Sequence, residues 1–291
     1  MVSHLKNRIK ATIFHTAFQL HKRKRTSIKV KSIDETIDDL IRSDKSLIRF
    51  GDGEIKIIEK VSIGTQEYDN QLAERLSQLI QSDWGQVLIG IPGIFDDMDL
   101  YTERSRKFWE EHLFFSWKTY KRYCQQNRVY ENAFFSRPYY IYKDKSLSDQ
   151  WFRRIKEIWR EKDIVVVEGH GTHSGVENDL LNTANSIERI ICPAQNAYAI
   201  YDKIKDSCLK VKKEKMFLVA LGAAAKPLVY DLTMEGYRAI DIGNLDMEYE
   251  WYLKKAENKV PILKQGIIGR EENLKAGYTD YLEQIRVEIT E

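Results

Sequence analysis

The chain has 291 residues, of which 43% are hydrophobic and 31% charged, with a formal net charge of +2. That is enough apolar material for a large buried core, and the balanced signs with only five prolines exclude a disordered or low-complexity chain. Three cysteines without CxxC spacing (Cys124, Cys192, Cys208) argue against a disulfide scaffold or a zinc site and fit a reduced, cytosolic setting; no stretch approaches the roughly 18 apolar residues of a membrane span.

Charge is unevenly spread. Residues 1–31 carry nine basic groups, among them Lys22, Arg23, Lys24 and Arg25, and no acid, which leaves the remainder at net −7. A nucleic-acid binder would carry basic charge on its folded domain too, so that class is set aside. Leu5, Ile9, Ile13, Phe14 and Phe18 recur at helical spacing, so residues 1–31 read as a basic amphipathic arm ahead of a domain over 32–291. Two readings stand for the arm: a helix that is solvated or docked on the core, and an anchor to an anionic membrane surface that makes the protein peripheral at the inner face of the membrane.

Ser32 followed by Glu35 is a capping-box signal, and it predicts a helix through Ile41. Ser46–Phe50 reads as a short apolar strand running into Gly51-Asp52-Gly53-Glu54. A helix over 68–82 and a strand over Gln86–Ile91 follow. The section from 100 to 160 reads as mainly helical, its tryptophans and tyrosines as packing. Asp163–Glu168 is a β-branched run typical of a buried parallel strand. Beyond it come a Gly-containing loop, a helix start at Asp179–Ala184, and a strand over Arg189–Cys192. Strands over Met216–Leu221 and Arg238–Ile242 then alternate with helices over about 196–209, 224–235 and 246–256. The alternation predicts an α/β, Rossmann-like fold with a mostly parallel sheet flanked by helices.

Three segments repeat one design, an apolar strand followed by a Gly loop and polar groups: Arg49 to Glu54, Glu168 to Gly175, and Leu221 to Lys226. Ligands of parallel sheets bind beyond the carboxyl ends of the strands, where helix N-termini favour phosphate and glycine lets the backbone come close. None of the three is a Walker A or GxGxxG fingerprint, which lowers the standing of classical NTPases and NAD enzymes. Two acidic pairs, Asp52-x-Glu54 and Asp246-x-Glu248, would point both carboxylates to one side in extended backbone and offer oxygen ligands to Mg²⁺ or Mn²⁺. Helix capping is the plainer reading of either pair.

Arg49 to Glu54, Ser136-Arg137-Pro138-Tyr139, Gly175 to Leu180, Leu221 to Lys226 and Asp241 to Trp251 resemble, in order and spacing, the GT-D-fold glycosyltransferases, a family long catalogued as a domain of unknown function. The resemblance covers residues 32 to 265. It implies a metal-dependent transferase that uses a UDP-sugar, glucose first, on a glycan, glycolipid or glycoprotein acceptor in bacteria that decorate their surfaces. It also implies roles for single residues. Asp52 and Glu54 are the catalytic carboxylates of the donor pocket, and an acceptor hydroxyl would give its proton to one of them. Arg49, Gly51, Gly53, Arg137, Gly171, Thr172, Ser174, Asn178, Asp179, Gly222 and Lys226 bind the nucleotide-sugar, with Lys226 facing the diphosphate. Asp246 and Glu248 form the D-x-E pair for Mn²⁺ or Mg²⁺, with Asp52 and Glu54 as the alternative pair. The chain departs from the family pattern at His173, where Arg is common, and at Asn244, where His is common; His170 and His173 would then supply the missing cation. Competing readings are a methyltransferase-like enzyme, with Val165 to Gly171 as its loop, and a non-catalytic membrane-surface module. The first has no use for two acidic pairs beside Lys226, and the second has no use for them at all.

Overall fold

The computed structural model describes residues 2–20, 28–264 and 277–290. Among these residues nine strands form one sheet in the order β1-β4-β3-β2-β8-β7-β5-β6-β9. They are β1 (Lys29–Val30), β2 (Ser46–Arg49), β3 (Val87–Ile91), β4 (Val129–Asn132), β5 (Asp163–Gly169), β6 (Ser186–Cys192), β7 (Met216–Ala220), β8 (Ala239–Asp241) and β9 (Ile285–Glu288). Every pairing is parallel. The helices are α1 (Val2–Leu20), α2 (Ile33–Arg42), α3 (Asp52–Ile58), α4 (Asn70–Leu79), α5 (Glu103–Tyr123), α6 (Ser148–Glu157), α7 (Tyr201–Leu209), α8 (Ala225–Met234), α9 (Leu245–Leu253) and α10 (Tyr278–Gln284).

Sequence chemistry accounts for the central elements. The inner strands are apolar on both faces because helices cover both, and Ile164 to Val167 and Phe217 to Val219 are fully buried. The capping box at Ser32 forms as expected, the Ser32 hydroxyl accepting from Glu35 N–H and the Glu35 carboxylate accepting from Ser32 N–H. Of the tryptophans in the 100–160 section, Trp109, Trp151 and Trp159 lie in the core. Glycine is required at Gly243, which has φ +46 and where a Cβ would stand 2.0 Å from Arg49 Nη2.

Four expectations are corrected. Asp179–Ala184 forms turns rather than a helix, because Asn178 Oδ1 accepts from Leu180 N–H while the Asp179 carboxylate is drawn to Lys156 and the Tyr249 hydroxyl. Both D-x-E pairs lie in the first turns of helices, α3 and α9, not in extended backbone. The 100–160 section contains β4, and with β1 and β9 it supplies strands that no long apolar run marks. The arm boundary at 31/32 falls inside the fold: Lys29 and Val30 pair with Val129 and Tyr130, and α1 packs on α5 with Phe18 4% exposed. The Lys22 to Arg25 cluster lies outside the described residues.

Trp159 is 0% exposed, and its Nε1–H donates to Leu180 O at 3.2 Å, tying the floor of the core to the turns after β5. Trp159→Ala is therefore expected to cost about 3–5 kcal/mol in urea unfolding; a loss below about 1 kcal/mol contradicts this packing.

Candidate active site

A cavity of about 600 Å³ opens over the carboxyl ends of the central strands. Its walls include the residues that end β2 (Arg49 to Gly51), β5 (Gly169) and β7 (Ala220 to Gly222), and those just past β8 (Gly243, Asn244). From β2 the chain moves outward to β3 on one side, and from β8 it runs to β9 at the opposite edge. The crevice between β2 and β8 is thus a topological switch point, the place where open parallel sheets bind ligands.

At that point the floor is a buried charge network centred on Asp241, the last residue of β8. Its Oδ1 accepts from Arg49 Nη2 at 2.7 Å, its Oδ2 from the Arg49 backbone N–H at 3.2 Å, and its carbonyl from Arg49 Nε at 2.6 Å. Lys226 Nζ lies 3.1 Å from Asp241 Oδ2, 2.8 Å from Glu54 Oε1 and 3.0 Å from Gly222 O. The other Glu54 oxygen accepts from Gly51 N–H at 2.7 Å. Burial opposes ionisation of Asp241, but Arg49 and Lys226 outweigh it and hold the carboxyl below its usual range. Lys226 is therefore a brace for two carboxylates, with all three ammonium protons committed.

Asp52 is the more open carboxylate. Its side chain is 34% exposed at the N-terminus of α3, and its Oδ2 accepts from Lys56 Nζ at 2.9 Å. Across the cavity stand Arg104 at the start of α5, Arg137 and Lys259, beside Phe108, Trp109 and Tyr140. Burial lowers the Lys259 pKa first, and repulsion from Arg137 and Arg104 lowers it further, so these three cations share one space. Sequence reasoning missed Arg104 and Lys259. They are 155 positions apart, neither belongs to a motif, and only the fold brings them together.

Of the expected site residues, Arg49, Gly51, Asp52, Gly53, Glu54, Arg137, Thr172, Gly222 and Lys226 line the cavity; Gly171, Ser174, Asn178, Asp179, Asp246 and Glu248 do not. Asp246 is 2% exposed, and its Oδ1 accepts from Gly175 N–H, Asn178 Nδ2 and Lys264 Nζ at 2.8–2.9 Å. Burial raises its pKa against the pull of Lys264, which it shares with Glu250. Glu248 is fully buried behind the wall, with Oε2 accepting from Tyr140 N–H at 2.9 Å and Oε1 3.9 Å from Arg137 Nη1. Burial raises its pKa against the opposing pull of Arg137. The expectation that His173 replaces a missing cation is corrected too. That ring is fully buried, with Nδ1 2.7 Å from Lys264 O, and packs edge-on against Tyr281.

The depressed Asp241 pKa has a sign. Between its folded value and the ordinary 3.8 the unfolded chain binds more protons, so the stabilisation is complete above about pH 4 and is lost as pH falls through the folded value. The stability gap between the wild type and Asp241→Asn should be widest at neutral pH and shrink below about pH 4. A gap independent of pH from 7 to 3 contradicts the ionised network.

A family model described as Glycosyltransferase GT-D fold matches residues 47–268. The chain is 39% identical over 236 residues to the probable glycosyl transferase Gly of Streptococcus gordonii, covering 81% of this chain and 34% of that protein. It is 38% identical over 234 residues to glycosyltransferase GlyD of Streptococcus pneumoniae serotype 4, covering 80% of this chain and 29% of that protein. It thus spans about a third of the length of these curated relatives. Among solved structures, a domain of unknown function 1792 described as having a distinct glycosyltransferase fold superimposes with TM-score 0.88 at 39% identity, over 94% of this chain and 100% of that one. A glycosyltransferase of the same domain type from Streptococcus sanguinis gives 0.83 at 35%, over 90% of this chain and 100% of that one. The nine-stranded parallel sheet, the cavity at its switch point and these matches agree: the chain belongs to the GT-D-fold family of glycosyltransferases.

Proposed function

We propose that the chain transfers a hexose, glucose first, from a UDP-sugar to a hydroxyl of a glycan, glycolipid or glycoprotein, with a divalent cation. The observation that carries this reading is the cavity at the strand ends, where carboxylates and cations converge on one space large enough for a nucleotide-sugar. The preference for uridine and glucose rests on the sequence resemblance. A methyltransferase would have no use for the cluster of Arg104, Arg137 and Lys259, which suits a diphosphate.

The donor set at the cavity fits a hard cation. Mg²⁺ and Mn²⁺ take one or two carboxylates and complete their shell with phosphate oxygens and water. Glu54, held in place by Lys226 and the Gly51 N–H, is assigned to that cation together with the donor's own phosphates. Lys226 sits on Glu54 at 2.8 Å as Lys264 sits on Asp246 at 2.9 Å, so a cation at either D-x-E pair would displace a lysine. When bound, the cation offsets the charge that develops on the leaving diphosphate.

The chain's own groups do the remainder. Arg104, Arg137 and Lys259 draw the diphosphate toward the α5 side, and Gly51, Gly53 and Gly222 let the donor lie against backbone. Asp52, with one oxygen steadied by Lys56, accepts the proton of the acceptor hydroxyl as the new bond forms. Trp109 and Tyr140 offer flat apolar faces to a sugar ring.

UDP release across a panel of UDP-sugars with Mn²⁺ tests the donor; turnover with another nucleotide-sugar and none with any UDP-sugar overturns it. Asp52→Ala should lower kcat by about 10²–10⁴ with an unchanged melting temperature. Asp246→Asn leaves Lys264 paired with Glu250 and should cost about 1–3 kcal/mol of stability through the lost charged hydrogen bonds. Near-normal kcat in Asp52→Ala contradicts the assignment of the proton to this carboxylate.

A further inference from the structure

The seam between α1 and α5 leaves an apolar ridge in solvent. The ring of Phe14 on α1 meets Phe114 and Phe115 of α5 with centroids 5.0 and 5.7 Å apart. The expected apolar stripe of the arm is split by this docking. Phe18 turns into the core, whereas Ile9, Ile13 and Leu20 are 52%, 51% and 76% exposed, alongside Phe114 at 48% and Phe115 at 65%. The charge around the ridge has one dominant sign. Among the described side chains, the exposed Lys10 lies on α1 and the exposed Lys118, Lys121 and Arg122 follow the two phenylalanines along α5; Glu111 is the acid one turn before them.

We propose that this ridge docks on a bilayer carrying anionic lipid. Apolar side chains enter the headgroup boundary while lysines and arginines meet the negative surface, the combination that lets an interfacial surface bind reversibly without spanning. The charge pattern selects this occupant: a partner copy of the chain would bring its own Lys10, Lys118, Lys121 and Arg122 against these. The ridge also leads to the cavity. Phe108 lines the cavity and is 45% exposed, and Phe115 lies seven residues further on the same face of α5, about 10 Å along the axis. A seated bilayer therefore places the cavity mouth near its surface. The consequence that a lipid-linked glycan reaches the cavity from that surface rests on the transferase reading; the docking itself does not.

The test is co-sedimentation of the full chain with vesicles of phosphatidylcholine alone or mixed with phosphatidylglycerol. Binding is expected only with the anionic mixture, and it should weaken as salt is raised. The double variant Ile13→Ser/Phe115→Ser, and separately Lys118, Lys121 and Arg122 all changed to Gln, should each bind at least about tenfold more weakly, with donor turnover in solution unchanged. Equal binding to neutral vesicles, wild-type binding by both variants, or no binding overturns the proposal. So does a dimer in sedimentation velocity that the double variant abolishes while vesicles leave the wild type in the supernatant. Loss of turnover with intact vesicle binding would instead count against the transferase reading alone.

Discussion

The site depends on one buried carboxylate. Asp241 ends β8 at the point where the sheet's connections diverge, and it is fully enclosed with two cations against it. A lone ionised carboxylate in that position would cost several kcal/mol in desolvation, and the fold offsets this with Arg49 from β2 and Lys226 from α8. The same contacts fix the neighbours. Arg49 binds β2 to β8 through both its backbone and its side chain, Gly243 must lack a Cβ to admit that guanidinium, and Lys226 passes the constraint on to Glu54. Three separated stretches of sequence thus become one rigid floor.

This arrangement divides the charged residues by task. Cations tied into the floor, Arg49 and Lys226, are committed to carboxylates and act as positioning residues. Cations across the cavity, Arg104, Arg137 and Lys259, crowd one another, and crowding of like charge is relieved when an anion enters. Electrostatic catalysis depends on such groups being in place before the substrate arrives. A second buried network, Asp246 with Lys264, Asn178 and the Gly175 N–H, and Glu250 3.0 Å from Lys264, stands behind the wall and holds the turns after β5 against α9.

The central sheet was legible because burial on both faces leaves near-continuous apolar runs, as in DIVVVE and MFLVAL. Edge strands carry no such run. β1 is two residues long, and β9 alternates half-buried and exposed residues, so neither announces itself. The strand–Gly–acid pattern singles out Asp52 and Glu54, which line the cavity, but their backbone is helical rather than extended. A D-x-E after a glycine can open a helix as readily as continue a strand, and the Glu54 carboxylate folding back to Gly51 N–H decides for the helix. Spacing alone could not separate the pair that lines the cavity from the pair behind its wall. That distinction lies in Lys264, eighteen residues beyond Asp246, which no local pattern connects to it.

The central claim is that Asp241 and Lys226 act as one unit under the cavity. A double-mutant cycle of Asp241→Asn and Lys226→Met, read by chemical unfolding at neutral pH, measures it directly. Each single change leaves the buried cluster of Arg49, Lys226, Glu54 and Asp241 one charge out of balance and should cost about 3–5 kcal/mol. The double variant removes both charges and should cost less than the sum by at least about 2 kcal/mol. Costs that add to within about 0.5 kcal/mol would show two independent residues and contradict the account.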